Sequence, residues 1–218
     1  MNLIVVGDSF CSSAEGWPSA LADRLGLNLI CHGIGGQPWW NAREFLIGLP
    51  DQNIEQAEHL VFVHTNAERI PTNNIQIGLV DQSANPKTEI DKAIQLYHKY
   101  IHEMEFLNWA QQQWFLEINQ RWSHKKIVHL HSFPWSIDHG KLLSGLNIVT
   151  NLCSISLNEL GADTFELFND QRLNHLNNHN NNELACQLAT LIQNYAQQTV
   201  QLDTNAFDLK ITQWFNWK

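Results

Sequence analysis

Apolar positions along this chain fall into short unbroken runs separated by stretches with helical spacing, the alternation expected of buried parallel strands wrapped by helices. The first run, Leu3-Ile4-Val5-Val6, stops abruptly at Gly7-Asp8-Ser9 and gives way to small and polar residues. It reads as a buried strand whose C-terminal end opens into a turn. Gly16-Trp17-Pro18-Ser19 then starts a helix through Leu25, with Pro18 in the first turn and Gly26 at the end. Leu27 to Cys31 is a second strand, closed by the turn His32-Gly33-Ile34-Gly35-Gly36-Gln37-Pro38, and Trp39 to Leu49 is a helix. A third strand runs from His59 to His64, followed by Thr65-Asn66-Ala67-Glu68-Arg69.

The second half is less regular. Residues 70–88, with Pro71, Gly78 and Pro86, read as a long excursion. Glu89 to about Trp122 carries a helical stripe, with Ile94, Ile101, Trp114 and Ile118 in it and a break near Phe106-Leu107. Lys126 to Phe133 is a fourth strand. Pro134 to Ser154 reads as irregular, Ser156 to Gly161 as a short helix and Phe165 to Phe168 as a fifth strand. The polar, Asn-rich stretch from Asn169 to Asn182 reads as a loop before a final amphipathic helix from Glu183 to about Ala196. Residues 199–218 hold Phe207, Trp214, Phe215 and Trp217 and are too apolar for a loose tail. The expected fold is α/β: a three-layer α/β/α domain around a central, mostly parallel five-stranded sheet of flavodoxin-like type. One domain spans 1–218, with an insertion at about 70–122 and an apolar extension at about 199–218.

Composition narrows the function classes. The 218 residues are 44% hydrophobic and 16% charged, enough to bury a sizeable core. Thirteen Lys and Arg against 22 Asp and Glu give a formal charge of -9 with no basic block, which argues against a nucleic-acid partner. No membrane-spanning run and no secretory leader are legible, so a cytoplasmic protein that does not engage membranes is expected. Cys11, Cys31, Cys153 and Cys186 are widely spaced, which suggests reduced, buried thiols rather than a disulfide framework or a zinc ribbon.

Ligands of open parallel sheets sit at the C-terminal strand ends. That edge collects Ser9, the Gly33–Gly36 turn, Asn66, His131 and the region of His175. An acyl-transfer site needs a nucleophile, a base within reach of it and donors aimed at the developing oxyanion. Ser9 supplies the first, His175 the second, and backbone N–H groups of Ser9 and the glycine turn with the Asn66 amide the third. Asp8, Phe10, Trp39, His64 and His131 are candidates to line the substrate site.

The order Gly7-Asp8-Ser9, Gly33-Ile34-Gly35-Gly36, His64-Thr65-Asn66-Ala67 and His175-Leu176-Asn177 before a closing helix resembles the SGNH (GDSL) hydrolases over nearly the whole chain. The resemblance implies Ser9 as nucleophile, Gly36 and Asn66 as oxyanion donors, and His175 as base. It also implies an ester substrate, such as an O-acetyl group on a carbohydrate or a small acyl ester, and no cofactor. Two blocks depart from the family pattern. The third usually reads Gly-x-Asn-Asp, and the last usually places Asp three residues before His, where this chain has Arg172. Asp170 is the nearest substitute for the orienting acid. Two other readings stay open: a binding or assembly module that keeps the fold without turnover, and a metal-dependent hydrolase built from His32, His64, His131 and His175. The insertion helix and the apolar extension are the expected contacts of a homo-oligomer.

Overall fold

A computed structural model describes residues 1–12, 16–69, 88–134, 142–156 and 175–208. Among them a single sheet forms, with strands β1 (Asn2–Gly7), β2 (Asn28–Gly33), β3 (Ala57–His64), β4 (Lys126–His131), β5 (Leu146–Asn151) and β6 (Gln198–Val200). The spatial order is β2-β1-β3-β4-β5-β6 and every neighbouring pair is parallel. Helices α1 (Trp17–Leu25), α2 (Trp39–Gly48), α3 (Asp51–Glu55), α4 (Glu89–Tyr100), α5 (Met104–Trp122) and α6 (Asn178–Gln193) connect the strands.

The three layers follow from the period of two along each strand. Leu3, Val5, Val61, Val63, Val128 and Leu130 face α1 and α6, packing with Leu21, Leu184 and Leu188. Ile4, Val6, Leu60, Phe62 and Ile127 face α2 and α5, packing with Leu46, Phe115 and Ile118. Both faces are dry, which is why β1, β3 and β4 read as continuous apolar runs. The strand order reverses its course across the sheet between β1 and β3, so their C-terminal ends form the switch point where such folds bind ligands.

Several sequence expectations need correcting. Among the described residues the sheet has six strands rather than five, and β5 lies inside the stretch read as irregular. The segment Phe165 to Phe168 lies outside the described residues. The strand was hidden because Leu146-Asn147-Ile148-Val149-Thr150-Asn151 is short and interrupted by polar residues, one of which, Asn147, accepts a hydrogen bond from His131 Nε2 at 2.8 Å. The long helix breaks at residues 101–103 rather than near Phe106, because Glu103 starts α5 as its N-cap, accepting from the Glu105 N–H. A 3₁₀ turn covers Leu152–Ile155, and the short helix expected from Ser156 to Gly161 lies, past Ser156, outside the described residues.

Helix α6 begins five residues before Glu183, inside the Asn-rich stretch. Asn helix propensity is poor, but these side chains are engaged. Asn177 caps the helix, Asn180 Nδ2 donates to Ile155 O and Asn181 Oδ1 accepts from Trp17 N–H at 2.7 Å. Trp114 of the insertion is a core side chain, 2% exposed and ringed by Trp39, Phe62 and Trp122, while Trp109 is exposed. The start of the apolar extension packs on the domain, where Leu202 and Phe207 are buried beside α6. Trp214, Phe215 and Trp217 lie outside the described residues. Among the described residues no helix is long and apolar enough to cross a membrane.

Candidate active site

Strand β1 ends at Gly7, where β1 and β3 approach so closely that a Cβ would stand 2.5 Å from Val63 Cβ and 2.6 Å from Val63 O. Only glycine fits. The chain then turns through a single 3₁₀ turn, Ser9–Cys11, capped by the Asp8 side chain, whose Oδ1 accepts from the Phe10 N–H at 3.1 Å. Ser9 is therefore the first residue of a one-turn helix.

Asp8 is fully buried and gathers the other strand ends. Its Oδ1 also accepts from Ser132 Oγ at 2.9 Å, just past β4, and its Oδ2 from Arg69 Nη1 at 3.2 Å, just past β3. The same Arg69 nitrogen donates to Gln37 O at 3.1 Å, beyond the turn that follows β2. One carboxylate and one guanidinium thus tie together the ends of β1, β2, β3 and β4. Burial lowers the Arg69 guanidinium from its ordinary range and the Asp8 charge opposes that. Buried charges persist only when paired and hydrogen-bonded, and this pair is both.

Gly36, buried in the turn after β2, has φ of 74°, the left-handed region that glycine enters without strain. Asn66, half-buried, follows β3, and its carbonyl accepts from the Arg69 N–H. His175, half-buried two residues before the α6 cap, stacks on Phe10 with ring centroids 4.8 Å apart and planes 13° apart. Phe10 meets Phe133 edge-on at 5.8 Å, and the Arg69 guanidinium lies 5.3 Å over Phe133. A ladder of packed rings therefore runs from the buried ion pair to the imidazole. Ser9, Gly36, Asn66 and His175 come from four segments distant in sequence and share the sheet's C-terminal edge. Asp170 lies outside the described residues.

Of the remaining candidates, Asp8, Phe10, His64 and His131 are buried and Trp39 is half-buried. Asp8 and Phe10 are the frame of the turn. His64 and His131 are 3% and 5% exposed and face α5 with His129. Ser144 O can only accept, so His129 Nε2 carries its proton across 3.0 Å, and Nδ1 of that neutral ring accepts from His64 Nε2–H at 2.8 Å. Burial pushes His129 down to about 3 and His131 down to about 4, so both are neutral at pH 7. Trp39 opens α2, stacked on Trp114 and walling a small cavity with Val6, Gly7, Pro38 and Thr65.

Of the four histidines in the metal reading, His32 instead stacks on Phe45 with centroids 4.1 Å apart. Among the described residues no group of three or more His, Cys, Asp or Glu is placed to hold a metal ion. Arg69, Ser132 and Gln37 went unnoticed in the sequence. The signal was there, since each directly follows a strand or its turn, but nothing in a linear reading pairs them with Asp8. The thiols also differ from expectation: Cys11 is buried, whereas Cys31 and Cys186 are exposed. No family model, curated protein or solved structure matches the chain.

Proposed function

We propose that this chain is a serine ester hydrolase of the SGNH type, acting on a small acyl ester such as an O-acetyl group on a carbohydrate. What supports the reading is the stacking of His175 on Phe10, the neighbour of Ser9 on its capped turn, together with the Gly36 turn and Asn66 following β2 and β3 of the same parallel sheet. In this reaction Ser9 Oγ attacks the acyl carbon while His175 accepts its proton. The N–H groups of Ser9 and Gly36 and the Asn66 amide stabilise the tetrahedral oxyanion. His175 returns the proton to the departing alcohol, and a water activated by the same ring then releases the acid. Asp170 is the carboxylate proposed to orient the imidazole.

Hydrolysis of p-nitrophenyl acetate by wild type beside Ser9→Ala tests this. Removal of the nucleophile is expected to lower kcat about 10³-fold or more, and a phosphonate ester should add covalently at Ser9 in wild type alone. Equal rates in the two proteins would refute the hydrolase and leave a binding module on the same fold.

A further inference from the structure

Cys11 and Cys31 are 20 positions apart but meet where the turn carrying Ser9 packs over the edge strand β2. Cys31 Sγ donates to Cys11 O at 3.0 Å, and Cys11 Sγ donates to Asp8 O at 3.4 Å. Further along the same face of β2, a Cβ on Gly33 would stand 2.7 Å from Cys11 Sγ, so the missing side chain there leaves the space that Cys11 fills. The two thiols are unlike. Cys11 is fully buried, and burial pushes it well above the ordinary range. Cys31 is exposed, and its hydrogen bond with Cys11 lowers it. An accessible thiol with enhanced thiolate character beside a protonated, buried one is the arrangement of an attacking and a resolving cysteine. Ester hydrolysis at Ser9 uses neither.

We propose that Cys11 and Cys31 form a thiol–disulfide couple oxidised by hydroperoxides, with Cys31 reacting first and Cys11 resolving. The Cys31 thiolate attacks the distal oxygen of hydrogen peroxide. The O–O bond breaks, sulfur is oxidised to a sulfenic acid, and the departing hydroxide takes a proton to become water. Cys11 sulfur then attacks the Cys31 sulfenic sulfur. The S–S bond forms, the S–OH bond breaks, and the Cys11 proton leaves with the hydroxide as a second water. The product tethers the last residue of the Ser9 turn to the edge strand.

The test is peroxide treatment of the full, folded chain, followed by alkylation of the remaining thiols, digestion and mass spectrometry. A peptide joining Cys11 to Cys31, lighter by two hydrogens and split by dithiothreitol, is expected before Cys186 is oxidised. Cys186 is the internal reference because it is also exposed. Cys31→Ser should abolish the joined peptide and Cys186→Ser should leave it unchanged, while the buried Cys11 is left intact so that folding is not at issue. Recovery of Cys11 and Cys31 both alkylated once Cys186 has been oxidised would overturn the proposal, as would linkage of Cys31 to Cys153. These readouts do not depend on turnover at Ser9, so they stand apart from the fate of the hydrolase reading.

Discussion

Titration from pH 7 to pH 5 adds protons to the unfolded chain that the folded one refuses. His129 and His131 lie under the sheet with their pKa values lowered by burial to about 3 and about 4, against 6.5 when exposed. A group depressed in the folded state and ordinary in the unfolded state makes the unfolded chain bind more protons between the two values, so stability rises with pH there. For these cations-in-waiting the stability is fully present above pH 6.5 and is lost as pH falls through the window down to the folded values. At pH 5 an unfolded imidazole is almost wholly protonated and each buried one is still neutral, a difference of about 2 kcal/mol per site. The two together remove about 4 kcal/mol, a large part of the 5–15 kcal/mol typical of a domain. His59, also lowered chiefly by burial, acts in the same direction.

Urea unfolding at steps from pH 8 to pH 5, followed by the fluorescence of the buried Trp114 and Trp122, measures the slope. The fall should start near pH 6.5, above the range where carboxylates titrate. His131→Gln should remove about half of it, because glutamine offers a side-chain donor to Asn147 without taking up a proton. A wild-type midpoint that does not move between pH 7 and pH 5, or an unchanged slope in His131→Gln, refutes the reasoning.

Three further outcomes follow from the site and its frame. Asp8→Ala leaves the Arg69 cation buried without its partner and strips the acceptor from Phe10 N–H and Ser132 Oγ. It should cost about 3–5 kcal/mol in urea unfolding, and less when combined with Arg69→Ala. Gly36→Ala forces a side chain into a φ of 74° and should cost about 1–2 kcal/mol by thermal unfolding, with slower ester hydrolysis as the turn shifts. Asn181→Ala removes the acceptor of Trp17 N–H and the donor to Leu176 O and Asn177 O, and should cost about 2 kcal/mol by the same measurement.

The strand-and-helix alternation is legible wherever both faces of a strand are buried, as in β1, β3 and β4, because burial on both faces fills most positions with apolar residues. It failed at β5 and at the start of α6, where Asn147, Asn180 and Asn181 do their work through partners far along the chain rather than through local preference. The candidate site divides the same way. Ser9, Gly36, Asn66 and His175 were readable as residues just past strands or just before a helix. The Asp8–Arg69–Ser132 frame was not, since its members are separated by 61 and 124 positions and only the sheet order brings them together.

The first backbone N–H of helix α1, that of Trp17, donates to the side chain of Asn181, 164 positions downstream. Gly16, at its N-cap, offers no side chain of its own. During synthesis from the N-terminus, the first helix therefore waits, uncapped, until nearly all of the described chain has emerged. Contacts that span so much sequence slow folding and prolong exposure of unfinished surfaces. The Ser9 turn, held between that helix and β1, gains its full support only as the last helix docks, so a nascent chain is expected to acquire its site late and all at once.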